Sequence, residues 1–334
     1  MSASETSDTQ VTTAQDAAPP RPAWQVLLIR PETMTFVLLI LGLVAGTLLS
    51  PYFLDVTYIL RSFTLYAEFA IVALVMTMVI IGGEIDLSPA AGMALAACVF
   101  AWVQQAGVPV PAAIGVGLLV GLAMGALNAF MVIAMQLPSI IVTIGTLTLF
   151  RGLAQIIAGD KSIRVPEWFI GIDKVMIFNI PLPVVLFIVL ALILGVVLGG
   201  TVFGRQVYQI GTNEVAARHA GIRSARIKLI LFLASGVIAA IAGMMTASRF
   251  GSVRYDLGQG GELQMVLMAM LGGTYIFGGR GTILGTFLAA WLLVIVSTGM
   301  IVANVLPAVQ LVVLGVLLIV SIIATNFIYS RTQR

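Results

Sequence analysis

The chain has 334 residues, of which 60% are hydrophobic and only 9% are charged, and its mean hydropathy is +1.10. A soluble domain carries about a quarter charged residues, so this composition excludes a water-soluble protein and indicates a polytopic membrane protein. The net charge of +3 gives no indication of a nucleic-acid partner. The single cysteine, Cys98, lies in an apolar segment and excludes a disulfide framework.

The first 22 residues are polar and contain no lysine, so they lack the basic and apolar regions of a signal peptide. We expect residues 1–32 to form a disordered and interfacial N-terminal tail in the cytoplasm. Residues 327–334 are expected to form a short cytoplasmic tail at the other end. A membrane-spanning domain would occupy residues 33–326 between them.

Apolar segments long enough to cross a bilayer, about 20 residues each, recur along the chain. They predict an all-α protein with about ten transmembrane helices. The predicted spans are 33–50, 58–81, 88–105, 109–135, 139–158, 180–199, 227–249, 263–277, 282–300 and 306–326. Two of them, 88–105 and 263–277, lie beside Gly-rich breaks, which are typical of discontinuous or re-entrant helices.

A short internal echo indicates a two-part design. Ile81-Gly82-Gly83 follows the second predicted span, and Leu271-Gly272-Gly273 falls in the eighth. Spans two to five and seven to ten would then be inverted repeats, an arrangement that is common in transporters. Gly117, Gly121 and Gly125 form a small-residue stripe, which we interpret as a helix-packing surface.

One long interruption of the hydrophobic pattern, residues 204–228, contains five of the 17 Lys and Arg residues and the only histidine. Asn213 is a favoured N-cap residue, and Glu214 follows in the first turn, where the helix dipole stabilises an anion. Arg218 pairs with Glu214 at i,i+4, and Gly221 suits the left-handed position that ends a helix. The pattern predicts a complete short helix parallel to the membrane, in a loop that a soluble partner would contact.

Ten spans place both termini and the 204–228 loop on one side of the membrane. Basic residues are concentrated in that loop, so the positive-inside rule assigns it to the cytoplasm and assigns residues 159–179 to the outside. No G-x-x-x-x-G-K-[ST] phosphate loop is present, and a single histidine excludes paired-histidine sites. We therefore expect neither enzymatic activity nor a catalytic, metal or cofactor site in this chain.

Several segments, in order over residues 34–326, resemble the permease subunits of ribose-type bacterial ATP-binding cassette (ABC) importers. The family includes permeases for ribose, xylose, rhamnose and autoinducer 2. The resembling segments are Gly82–Ser88 (GGEIDLS), Gly125–Asn128, Pro138–Thr146 with Arg151-Gly152, Ile210–Ile222, and Glu262-Leu263 with Gly272–Thr282. Gln264 departs from the aspartate that is usual in the family, and residues 249–258 look closer to rhamnose and autoinducer 2 permeases.

This resemblance implies a permease subunit that translocates a small sugar or sugar-like solute into the cytoplasm. The implied partners are ATP-binding cassette subunits, a second permease subunit, identical or homologous, and a periplasmic or extracellular solute-binding protein. The implied location is the bacterial inner membrane, as a multi-pass protein. The residues that would couple to the ATP-binding subunits are Asn213, Glu214, Ala216, Ala217, Arg218, Ala220 and Gly221.

Polar residues at the first Gly-Gly break are candidates for the translocation path. Glu84 and Asp86 are carboxylates between apolar spans, and intramembrane carboxylates are costly and commonly functional. Alternatively, Asp86 and Ser88 cap the helix that begins at Pro89. Asn128 belongs with these candidates, because an amide in an apolar span must find a partner.

A hydroxyl stripe on one helix face is a second candidate for the path. Ser139, Thr143, Thr146 and Phe150 are spaced at i, i+4, i+7 and i+11, and hydroxyls ending in an aromatic ring suit a sugar. Alternatively, these hydroxyls bond back to carbonyls of their own helix. An ion- or proton-coupled secondary transporter, complete in one chain, remains the alternative function, because interrupted helices and repeats fit it too.

Overall fold

The computed structural model describes residues 31–50 and 53–332, most of them in α-helices. Residues 1–30 of the predicted tail 1–32 and the last two residues of the chain lie outside the described part, while residues 31 and 32 begin the first helix. The helices are α1 (Pro31–Leu49), α2 (Val56–Thr64), α3 (Ala67–Ile81), α4 (Pro89–Gln105), α5 (Val110–Ile133), α6 (Ser139–Ala158), α7 (Leu182–Gly200), α8 (Val202–Thr212), α9 (Glu214–His219), α10 (Ser224–Phe250), α11 (Gly261–Leu271), α12 (Ile283–Val302) and α13 (Pro307–Thr332).

Seven of the described helices are long and apolar enough to cross a membrane: α1, α5, α6, α7, α10, α12 and α13. An eighth span forms if α2 and α3, which meet at a bend of 69°, are counted as one. The remaining two predicted spans fall on α4, with 17 residues, and α11, with 11 residues. The fold is all-α and polytopic, and α13 continues beyond the predicted end of the last span.

The prediction of a helix over 263–277 is wrong in its second half, because α11 ends at Leu271. Gly272 caps it, and Gly273 has a φ of +82°, a left-handed conformation that favours glycine. The end of α3 has the same geometry, since Gly82 caps the helix and Gly83 has a φ of +85°. The similar sequences at the two sites therefore reflect the same helix-ending turn. The interpretation as inverted repeats is supported only by the order of the spans.

The 272–282 segment contacts the end of α3. The amide of Gly279, in the 272–282 segment, donates a 2.8 Å hydrogen bond to the carbonyl of Ile81. A Cβ at Gly211 of α8 would overlap that same carbonyl and lie 2.5 Å from the Gly279 amide nitrogen. Three backbone segments are thus in direct contact at one end of the helix bundle.

Helix α3 is the centre of the bundle, and nearly every residue along it is buried. It contacts α7, α10, α11 and α12. Helices α5 and α10 pack closely against each other, because Gly121 and Gly125 face the backbone at Gly236 and Phe232 with no room for a side chain. The interpretation of the glycine stripe as a packing surface is confirmed.

The loops sort into two opposite ends of the bundle. At one end, Tyr208 of α8 donates a hydrogen bond to the Gly281 carbonyl, and Thr282 donates one to Glu32 at the start of α1. At the other end, strand β1 (Ile163–Arg164) pairs with β4 (Ser252–Val253). A second small pair, β2 (Met176–Ile177) with β3 (Ile180–Pro181), leads into α7. The predicted separation of the 204–228 and 159–179 segments is therefore present in the fold.

Candidate functional site

The short helix predicted in the 204–228 loop is present as α9. The Asn213 side chain accepts a 3.0 Å hydrogen bond from the Ala216 amide, and Gly221 follows the helix with a φ of +83°. Arg218 and Glu214 form the expected i,i+4 ion pair at 2.7 Å. The loop contains more helix than the pattern indicates, because α8 ends immediately before Asn213 and α10 begins at Ser224.

One face of α9 is free and the other is buried in its own chain. Ala216 and Ala220 are exposed and, with Tyr208 and Ile222, line an apolar groove of about 380 Å³ between α8 and α9. Ala217 is only 5% exposed and packs in the main core. Ala217 nevertheless borders the same groove, so the expectation that it contacts a partner stays a prediction.

Glu214 connects α9 to the membrane bundle. It accepts hydrogen bonds from Arg218 and from Lys228 of α10, each at 2.7 Å. Burial alone would raise the pKa of Glu214, but the hydrogen bonds from Lys228 and Arg218 outweigh it and lower that pKa from 4.5 to about 2. The stabilisation from this carboxylate is complete above its ordinary pKa and is lost only as the pH falls towards about 2.

The non-helical segment Gly82–Ser88, between α3 and α4, is held by a buried polar network. Asp86 accepts hydrogen bonds from the Ser88 amide and hydroxyl, at 3.0 and 2.7 Å, and from the Ser235 hydroxyl of α10 at 2.7 Å. Asn128 of α5 donates a 2.8 Å hydrogen bond to the Ser88 hydroxyl. Ser88 stands at the N-cap position of α4, but its side chain makes no capping hydrogen bond, and the bonds to Asp86 close the turn just before Pro89.

Helix α6 holds the same segment from its other side. The Ile85 amide donates to the Ser139 hydroxyl at 3.1 Å, and the Thr143 hydroxyl donates to the Ile85 carbonyl at 3.0 Å. Thr146 bonds back to the Thr143 carbonyl, and Phe150 is packed in the core. The predicted stripe is thus a single face, but its side chains contact protein rather than an open channel.

All eight candidate path residues are buried in this structure. Six of them either lie in the 82–88 segment or contact it from α5 and α6, while Phe150 and Asn128 border a small cavity beside Asp86. The Asn128 Oδ1 atom has no hydrogen-bond partner. This cluster can fix the conformation of the broken helix, and an unpaired amide oxygen leaves it able to accept one further donor.

Sequence reasoning missed the partners of the charged residues. Glu84 is bound by Lys228, whose Nζ lies 2.5 Å from Glu84 Oε1. Glu68 of α3 is bound by Arg249 of α10 at 3.0 Å, while Arg151 donates to the carbonyls of Tyr255 and Leu257. The signal for Lys228 was its position just inside an apolar span, where a lysine needs a partner. Among the described residues, no cluster of His, Cys, Asp and Glu suits a metal ion.

The apolar helices form a bundle, two of them end at buried breaks, and a capped helix is exposed at one end. Together these features are typical of a membrane transport protein. The family described as branched-chain amino acid transport system / permease component matches residues 58–322. The autoinducer 2 import system permease protein LsrD of Photorhabdus laumondii is 33% identical over 296 residues, covering 86% of this chain and 89% of that protein. The LsrD protein of Escherichia coli K12 is 32% identical over 303 residues, covering 89% and 92%. No solved structure matches the chain.

The chain therefore belongs to this permease family. It is a multi-pass inner-membrane protein and a transmembrane permease subunit of an ABC importer. A permease component operates with other subunits, so the family favours this function over a secondary transporter that is complete in one chain. The resemblance to ribose-type importer permeases is confirmed.

Proposed function

We propose that this permease imports a small sugar-like solute, with autoinducer 2 as the first candidate. The support is the function named for relatives that match nearly the whole chain at 31–33% identity. ATP hydrolysis is assigned to separate ATP-binding cassette subunits, which bind at α9 and its groove. A second permease subunit and an external solute-binding protein complete the complex.

The observation that carries this proposal is that α9 is packed on the bundle by one face and exposed on the other. The helix has both caps in place, its inner face is packed on the bundle through Ala217, and its outer face is apolar and open, with Val215 66% exposed. A helix that is fixed to the bundle on one face can pass a partner's movement to the membrane helices.

The solute is tested by competition. The full complex is purified from its native membrane and reconstituted in liposomes together with its solute-binding protein. These liposomes should accumulate autoinducer 2 when ATP is supplied on the cytoplasmic side of the complex. Unlabelled ribose, xylose and rhamnose in excess serve as competitors. If autoinducer 2 is not accumulated, or if one of these sugars abolishes its accumulation at a lower concentration than unlabelled autoinducer 2, the solute assignment is wrong.

Cysteine labelling tests the orientation of the bundle. In a Cys98→Ala background, Ser162→Cys should react with a membrane-impermeant maleimide in intact spheroplasts, because residue 162 is exposed at the proposed outer end. Ala225→Cys, exposed at the opposite end, should react only after the membrane is opened. Reaction of both positions in intact spheroplasts would contradict a cytoplasmic 204–228 loop.

The hydrogen bond from Thr143 to the Ile85 carbonyl should be necessary for transport. Thr143→Val removes the hydroxyl with little change of volume and leaves a half-buried carbonyl without this partner, which costs about 1 kcal/mol. We expect the initial rate of solute uptake to fall several-fold at equal amounts of assembled complex. Thr148→Val is the matched control, because Thr148 is exposed on the same helix and bonds only to its own Ile144 carbonyl. Equal uptake by the two variants would show that the 82–88 segment has no part in the transport mechanism.

A further inference from the structure

Three ion pairs connect α9 to the interrupted segment 82–88. Lys228 is at their centre, because its Nζ is 2.5 Å from Glu84 Oε1 and 2.7 Å from Glu214 Oε2. Arg218 binds the other oxygen of Glu214 at 2.7 Å. Two carboxylates and two cations thus form one charge-balanced chain that begins at the surface helix and ends in the broken helix.

The inner link of this chain is buried and the outer link is not. The side chains of Lys228 and Glu84 are 12% and 9% exposed, whereas Arg218 is 61% exposed. Water and salt screen an exposed pair, but they screen a buried pair much less. The Lys228–Glu84 contact is therefore the stronger connection, and it resists separation when either element moves.

A displacement of Glu84 would move the rest of the 82–88 segment. Glu84 is followed directly by Ile85 and Asp86, which are hydrogen-bonded to α6 and α10 respectively. The segment is short and contains no regular helix that could absorb a displacement of one residue. A pull on Glu84 is therefore transferred to the contacts between the broken helix and its neighbours.

The structure leaves room beside the ion pairs for such a movement. A cleft of about 360 Å³ is bordered by Glu84, Glu214, Arg218 and Lys228 on one side and by the α5–α6 connection at 133–138 on the other. Side chains that border an open cleft can change position without displacing packed core residues. The chain of ion pairs is therefore held by α9 at one end and by the 82–88 segment at the other, and it borders open space along one side.

We propose that Lys228 is a positioning residue that transmits the displacement of α9 to the 82–88 segment during each cycle of ATP hydrolysis. When the ATP-binding subunits move α9, Glu214 pulls Lys228, and Lys228 in turn moves Glu84. This inference rests on the proposed function of α9. A different role would be simple neutralisation of the buried Glu84 carboxylate, which requires a cation but no connection to α9.

Three variants separate transmission from neutralisation. Lys228→Met removes the charge and keeps most of the side-chain length. The double variant Glu84→Gln with Lys228→Met also removes the buried carboxylate, so no unpaired charge is left beside the break. Lys228→Arg keeps the cation and the connection. Arg254→Gln is the matched control, because it removes a cation from an exposed ion pair with Asp256 at the other end of the bundle.

The assay compares basal with solute-stimulated ATP hydrolysis in the full reconstituted complex. We expect Lys228→Met and the double variant to keep basal hydrolysis and lose stimulation by about tenfold, within the 5- to 150-fold range typical of coupling between sites. Lys228→Arg and Arg254→Gln should retain stimulation. Full stimulation in Lys228→Met, or its recovery in the double variant, would overturn the proposal. Because wild-type complex in the same assay reports the proposed function, a loss confined to the variants concerns Lys228 alone.

Discussion

Gly211→Val should prevent the chain from forming a stable helix bundle. A Cβ at this position would overlap the Ile81 carbonyl oxygen and lie 2.5 Å from the Gly279 amide nitrogen, and both atoms belong to backbone that cannot rotate away. Overpacking typically costs about 1–3 kcal/mol even where flexible side chains can adjust. Here three backbone segments would have to separate, and the hydrogen bond from Gly279 to Ile81 would break.

The measurement is the amount of monodisperse permease recovered in detergent and its thermal denaturation midpoint. Gly199→Val is the matched control, because Gly199 lies in helix α7 with open space around its Cα. We expect normal recovery for the control and almost none for Gly211→Val. Gly211→Ala tests the same contact with the smallest possible side chain, and a wild-type melting midpoint for it would show that the three segments do not touch as described.

The sequence predicted most helices because apolar length and end signals agree locally. The span 139–158 coincides with α6, which begins after Pro138 and ends at Gly159, where the backbone adopts a φ of +60°. Segment 272–282 could not be predicted in the same way. It is Gly-rich, and its left-handed turns at Gly278 and Gly279 lie against the backbone of Gly83 and Thr212, which are distant in the sequence.

The candidate site was predicted in its members but not in its contacts. The residues of the 82–88 segment, Asn128 and the α6 stripe were each selected for a polar group in an apolar span, and they do lie close together. Their partners come from distant parts of the chain, as in the pairs Asp86–Ser235 and Glu84–Lys228. Tertiary packing determines such pairs, and no local pattern in one sequence encodes them.

Ala216→Trp should abolish coupling to the ATP-binding subunits without affecting the membrane bundle. Ala216 is exposed and lines the apolar groove between α8 and α9, so an indole there would occupy the space that a partner helix or loop requires. Ala217→Trp would not be informative, because Ala217 is buried and its replacement would disturb the permease itself. Gly221→Val would act through backbone strain at a φ of +83°, at a cost of about 1–2 kcal/mol, rather than through overlap.

Co-purification of the ATP-binding subunits and the solute-stimulated rate of ATP hydrolysis are the two measurements. Leu192→Trp adds a similar bulk at an exposed position in the middle of α7, far from the groove, and should preserve both. Ala216→Trp should reduce both by tenfold or more, since hot-spot contacts at interfaces contribute about 2 kcal/mol or more each. If Ala216→Trp binds its partners and is stimulated as well as Leu192→Trp, the α8–α9 groove is not the docking surface. The connection from Glu214 through Lys228 would then have no driving element at its outer end.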